Sequence, residues 1–221
     1  MVVATPRSVI ARERLDGPVG RQYRPSRATN PPANGHLCRI TSWQQTMHIR
    51  VAASLDRDDI RSIHLSAFPE GEREIVSKLA VNLLSEKTTP RTISLVAETG
   101  GAVVGHVAFS PVTIGSENFQ GYILAPLAVT PDYQKRRIGS QLVRSGMQRL
   151  SEMGVGVLFV YGDPKYYSRF GFSVAAAERY IPPYRLQYPF GWQGIALRRC
   201  DTERSPVKIA CVTSLCDPAL W

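Results

Sequence analysis

Between Leu127 and Leu142 the chain passes from an extended apolar run, through a proline turn and three consecutive cations, directly into a helix. Leu127-Ala128-Val129 reads as the end of a strand and Pro131-Asp132-Tyr133 as a turn. Gln134-Lys135-Arg136-Arg137 then reads as a basic loop, and Ile138-Gly139-Ser140 as the opening of a helix that turns Leu142, Met147 and Leu150 inward. The N-terminus of a helix presents backbone N–H groups without intrahelical partners, and its dipole adds positive potential, so this order makes a seat for a phosphate group. Lys135, Arg136 and Arg137 reinforce the field, and Gly139 leaves room for a bulky diphosphate to approach the main chain. By itself a short basic cluster is more often a solvated surface, so the function rests on what accompanies it.

The flanking pattern predicts an α+β fold. A first strand follows Met47. A helix opens with Asp56 as its N-cap, carries Ile60, Ile63, Ala67 and Phe68 at helical spacing, and is ended by Pro69. A second helix from about Glu72 lines up Ile75, Val76, Leu79, Leu83 and Leu84. Extended runs at 92–97 and 102–109 are joined through Thr99-Gly100-Gly101, a hairpin signal. Strands at about 122–129 and 155–161, a helix at about 138–153, a short helix near 165–169 and extended segments near 194–197 and 207–211 complete the order.

Of the 221 residues 43% are hydrophobic, enough for one domain with a substantial core, and the formal net charge is +9. The charge is uneven. Residues 1–46 hold seven arginines against Glu13 and Asp16, a net +5, and residues 47–221 carry the remaining +4. Prolines at 6, 18, 25, 31 and 32 interrupt that leader, which is expected to be unstructured, or an extension from a start codon placed too far upstream. The same prolines break the amphipathic helix that a transit peptide needs. No apolar stretch approaches a membrane span, and Cys38, Cys200, Cys211 and Cys216 show no metal-ligand spacing. A soluble cytoplasmic protein with free thiols and no metal is the expectation. The division expected is a leader at 1–46, a catalytic domain at 47–198, and a strand and tail at 199–221 that complete it.

A second motif lies downstream, Gly162-Asp163-Pro164-Lys165-Tyr166-Tyr167-Ser168-Arg169-Phe170-Gly171-Phe172. The run Leu-x-Val-x-Pro-x-x-Gln-x-x-x-Ile-Gly-Ser-x-Leu resembles motif A of the GNAT superfamily of N-acetyltransferases, whose loop cradles the diphosphate of acetyl-coenzyme A. The second resembles that superfamily's Tyr-x-x-x-Gly-Phe motif, and more closely a branch of small, mostly bacterial predicted acetyltransferases. Arg137 stands where the family pattern has its first glycine, a departure that bears on one main-chain contact and adds a charge beside it. The resemblance runs from about Met47 to Leu197. It implies a three-layer α/β/α-like arrangement, a mixed and mostly antiparallel sheet flanked by helices, in which a central parallel strand pair splays. Backbone groups of Leu127, Ala128 and Val129 would meet the pantetheine arm of acetyl-CoA, and residues 134–140 its diphosphate.

Acetyl transfer needs two aligned substrates, an uncharged amine, stabilisation of an oxyanion and a proton for the departing thiolate. The resemblance places Tyr167 where the family's general acid sits, and a phenol with an unperturbed pKa near 10 stays protonated at neutral pH. Tyr166 is read as structural. Glu72, Glu74, Glu98 and His106 are conceivable bases, and none is assigned. Trp192, Tyr184 and Tyr188 are candidates for lining an acceptor pocket, with the acceptor itself left as a small amine, an antibiotic-like metabolite or a protein amine. The expected partners are acetyl-CoA and an amine-bearing acceptor, with the protein a monomer or homodimer. A non-catalytic acyl-CoA sensor on the same fold is the main alternative. A nucleic-acid-binding protein is the weaker one, because the leader lacks interleaved aromatics.

Overall fold

Gly100 and Gly101 take positive φ of 59° and 79°, the left-handed geometry that a tight hairpin turn requires, and so join strands β2 (Ile93–Thr99) and β3 (Ala102–Ile114). The computed structural model describes residues 47–115, 117–198 and 205–221. The expectations for residues 1–46 lie outside these, as do those for residues 199–204. Around the hairpin grows a sheet in the order β1-β2-β3-β4-β5-β7, with β1 at His48–Val51, β4 at Glu117–Val129, β5 at Val157–Tyr161 and β7 at Trp192–Ala196. Every neighbouring pair along this path is antiparallel except β4 and β5. Two further strands, β6 (Tyr180–Ile181) and β8 (Val207–Cys211), pair with each other, and β8 extends the sheet beside β3 at Val112–Ile114.

Strand alternation divides the core between two helical layers. Leu95, Ala97, Val107 and Phe109 face helix α3 (Ile138–Glu152), which buries Leu142, Val143 and Leu150 against them. Val96 and Ala128 point the other way, toward α1 (Arg57–Ala67) and α2 (Glu70–Ser85), where Ile60, Ile63, Ala67, Val76 and Ala80 cover them. The expected three-layer α/β/α arrangement is the one observed. A fourth, very short helix, α4 (Pro164–Tyr167), follows β5, with the Asp163 carboxylate accepting from the Lys165 N–H at 2.9 Å as its cap.

Two local expectations are corrected. Asp56 does occupy the N-cap position of α1, but its carboxylate does not cap the helix. It accepts from Arg50 Nη1 and Nη2 at 2.7 and 2.8 Å and from the Ala53 N–H at 2.7 Å. A charged partner outbids the uncharged helix amides, and the Arg50 guanidinium holds this carboxyl below its ordinary range. Pro69, expected only to end α1, is the N-cap of α2, which starts at Glu70 rather than Glu72. Lacking an N–H and fixed in φ, proline costs nothing at that position.

Candidate active site

β4 pairs with β5 from Gly121 to Leu124 and then stops. On its other edge β3 keeps register with β4, but Phe109 faces Leu124 while Val107 faces Leu127, so Ala125 and Pro126 together oppose Ala108. This bulge, containing a residue that has no N–H to give, takes β4 out of the ladder with β5. Past the bulge, the Thr130 N–H bonds Val104 O at 2.9 Å, and the alternation of an antiparallel ladder then turns the N–H and C=O groups of Ala128 toward β3. Those of Leu127 and Val129 face the opening wedge. Among the described residues no strand pairs with this edge of β4, and the Val129 carbonyl accepts from Gln134 Nε2 at 2.9 Å.

The chain then enters the basic turn. Lys135 and Arg137 hold positive φ of 62° and 64°, so left-handed residues flank Arg136 and curl the run into a concavity. The first N–H of α3 with an intrahelical acceptor is that of Gln141, to Arg137 O at 3.0 Å, so the amides of Ile138, Gly139 and Ser140 remain for another partner. No acidic side chain lies in the first turn of α3, and its positive end is uncompensated. Val129, Gln134, Lys135, Arg137, Ile138, Gly139 and Ser140 of the sequence-derived set all line this concavity. Arg136 does not. It is exposed and lies over the Tyr133 ring, 5.1 Å from its centroid. Ala128 is also elsewhere, buried against α1 and α2.

Three residues of the concavity were not assigned to it from sequence, Tyr133, Tyr166 and Arg169, the last two a turn apart. Arg169 stacks on the Tyr166 ring at 4.6 Å, and a Cβ on Gly139 would stand 2.9 Å from the Tyr166 hydroxyl. Burial raises the pKa of Tyr166, and hydrogen bonding with Ser140 and the Arg169 charge oppose that rise. Their three-residue spacing on one helical turn was the available signal. Tyr166, read as structural from sequence, therefore forms part of the floor on which an anion at α3 would rest.

Tyr167 points into a second cavity, at the mouth of the wedge, whose rim includes Leu124, Ala125, Pro126 and Leu127. Its ring is 2% exposed, and Gly162 makes space for it, since a Cβ there would fall 2.6 Å from Cε2. Burial raises the phenol's pKa well above its ordinary value, with smaller contributions from Tyr166 and Asp163. The rings of Tyr166 and Tyr167 meet edge to face at 5.1 Å, so one short helix serves both cavities.

None of the conceivable bases lines either cavity. Glu98 pairs with Arg50 at 2.9 Å and Glu74 with Arg61 at 3.6 Å. His106 is fully buried between His64 Nε2, 2.9 Å from its Nδ1, and Ser94 Oγ, 2.8 Å from its Nε2, and burial pushes its pKa down to about 3. Of the aromatic candidates for an acceptor wall, Trp192 is in the core. It is stacked on Phe159 at 5.1 Å and donates from Nε1 to Tyr180 O at 2.9 Å. Tyr184 and Tyr188 line neither cavity. The tryptophan at the wedge is Trp221, which sequence reading left unassigned.

A sequence model described as an acetyltransferase (GNAT) domain matches residues 48–175. The chain is 36% identical over 150 residues to the uncharacterized N-acetyltransferase YjhQ of Escherichia coli K12, covering 66% of this chain and 80% of that protein. It is 38% identical over 131 residues to the uncharacterized N-acetyltransferase YhbS of the same organism, covering 59% of this chain and 75% of that protein. The crystal structure of E. coli YhbS in complex with CoA superposes with a TM-score of 0.65 at 28% identity, over 82% of this chain and 93% of the other. A GNAT-family acetyltransferase from Brucella melitensis in complex with acetyl-CoA gives 0.55 at 32% identity, over 74% and 96%. Wedge, cationic turn and adjoining tyrosines thus occur in a chain that belongs to the GNAT family of N-acetyltransferases.

Proposed function

We propose that this protein transfers an acetyl group from acetyl-CoA to a primary amine by direct attack on the thioester, and that it does so in the cytoplasm as a monomer or homodimer. The observation that carries the reading is the place where β4 leaves β5, immediately before the uncompensated N-terminus of α3. An extended ligand with amides along its length and a diphosphate at one end fits that sequence of open edge and cationic turn. The amides of Ile138, Gly139 and Ser140 would hold the diphosphate, with Lys135, Arg137 and Arg169 at its rim and Tyr166 beneath it. The free edge at Leu127 and Val129 would hydrogen-bond the amide-bearing arm and bring its reactive end to Tyr167.

Bound there, acetyl-CoA supplies a thioester carbonyl at which an amine forms an N–C bond as the C–S bond breaks, the amine's proton ending on sulfur or water. Tyr167 acts on the departing sulfur. Its raised pKa lies above that of a thiol, about 8.5, so it donates a hydrogen bond and stabilises the sulfur's charge without being deprotonated in the resting protein. No protein base is assigned, because none of the candidates lines either cavity. Deprotonation of the amine then runs through water.

Isothermal titration with acetyl-CoA is the direct test. Saturating ligand at about a hundred times its Kd stabilises the fold by about 2.7 kcal/mol if it binds only the native state. Gly139→Asp, which drives bulk into the Tyr166 hydroxyl and sets a negative charge beside the diphosphate, is expected to abolish that heat and that protection. Unchanged affinity in this variant removes the α3 turn from the site.

A further inference from the structure

We infer that the acceptor is a small primary monoamine with an aromatic or branched apolar body, and that the segment 213–221 sets its size. This rests on the acetyltransferase reading above. The cavity in front of Tyr167 is closed from one side by Phe68 at the end of α1 and by Val76 and Leu79 of α2, and from the other by Leu215, Leu220 and Trp221. Among the described residues no charged side chain lines it. Its free volume is about 50 Å³, room for a compact apolar body and far short of a cleft for a folded partner.

That chemistry discriminates among amines. A polyamine or aminosugar brings further ammonium groups, and here they would be desolvated with no acidic side chain to meet them. A monoamine brings one, and desolvation disfavours its charged form. The cavity therefore favours the neutral nucleophile that the reaction needs, which is how a site lined by no acidic side chain and no histidine can run it. Trp221 supplies a rigid flat wall. Its ring stacks on Tyr161 at 6.1 Å with 15° between planes, lies 6.2 Å from Trp192, and is fixed by Nε1 donating to Leu215 O at 3.0 Å. Trp192 is in turn held in the core, so the wall has a firm backing.

The experiment uses the full chain with acetyl-CoA and follows CoA thiol release for matched amines: 2-phenylethylamine and 3-methylbutylamine against putrescine, spermidine, kanamycin and a lysine-containing peptide. In parallel, calorimetry measures binding of 2-phenylethylamine to the CoA-loaded protein. The expected result is a kcat/KM for the two apolar monoamines at least 100-fold above that for the polycations and the peptide. Trp221→Ala is expected to weaken 2-phenylethylamine binding about 10-fold while acetyl-CoA affinity stays within twofold. Leu220→Glu, which sets a carboxylate at the rim, is expected to raise the putrescine rate relative to that of 3-methylbutylamine, and it keeps the test sharp should the tryptophan variant fold poorly. Polyamine, aminoglycoside or peptide rates equal to or above those of the monoamines overturn the inference, as does unchanged 2-phenylethylamine affinity in a folded Trp221→Ala. Absence of acetyl-CoA binding in the wild type overturns the underlying reading instead, and the calorimetric arm separates the two.

Discussion

Gly146 lies in the middle of α3, where exchanging glycine for alanine ordinarily stabilises a helix by about 1 kcal/mol. In this protein the same exchange is expected to destabilise. A Cβ at that position would stand 2.0 Å from Cζ and 2.1 Å from Cε2 of Phe109, a ring with no solvent exposure. Carbon atoms in contact sit about 3.5–4.0 Å apart, so ring or helix must shift by about 1.5 Å within a close-packed layer. Overpacking of this kind costs about 1–3 kcal/mol, and after the propensity gain a net loss of about 1–2 kcal/mol remains. Urea unfolding of Gly146→Ala measures it, and Phe109→Leu supplies the control. If the clash is the cause, the double variant should be more stable than the sum of the single losses by about 1 kcal/mol or more. Because α3 carries at its N-terminus the turn proposed to hold the diphosphate, acetyl-CoA affinity should fall in the single variant and recover in the double. An alanine variant as stable as the wild type, or strict additivity in the cycle, would refute the reasoning.

Arg137→Gly relieves a left-handed residue at a cost of about 1–2 kcal/mol, part of which returns as unfolded-chain entropy, so Tm is expected to hold or rise slightly. The same change removes an exposed charge from the basic concavity, and Kd for acetyl-CoA should rise about two- to fivefold with a shallower salt dependence; an unaltered salt slope counts against the guanidinium's part. Tyr167→Phe should lower kcat by about 10²-fold with acetyl-CoA affinity within twofold, checked by thiol release and calorimetry together. His64 and His106 are both held neutral by burial, so the unfolded chain binds the extra protons as pH falls below about 6.5. Stability should be flat above pH 7 and fall by about 1.4 kcal/mol per pH unit for each histidine between pH 6 and 4, and a folded His64→Leu variant should show about half that slope in urea titrations.

Periodicity and turn chemistry made most elements legible, because those signals act over a few residues. The Gly100-Gly101 turn, the inward stripe of α2 and the basic turn into α3 each follow from neighbours in the chain. What sequence reading misplaced depends on partners far away. Asp56 is drawn off its helix by Arg50, an attraction that appears only when β1 lies beside the start of α1. Trp192, a candidate for the acceptor wall, is held in the core by β7 pairing with β5, and the turn after β8 brings the unassigned Trp221 to the wedge instead. The position of Arg137 shows a different limit: the sequence lacks a glycine there, yet the backbone adopts the conformation that a glycine would favour.

The adjacent tyrosines of α4 bear on how binding and turnover are linked. In the proposed binding mode one ring supports the anion and its neighbour addresses the sulfur, and they are carried by a single helical turn of four residues. That turn behaves as a gauge of fixed length between two ends of one ligand: it cannot be re-seated to favour either end alone. Substitutions that disturb the grip on the anion should therefore also register in the rate of the distant bond-breaking step.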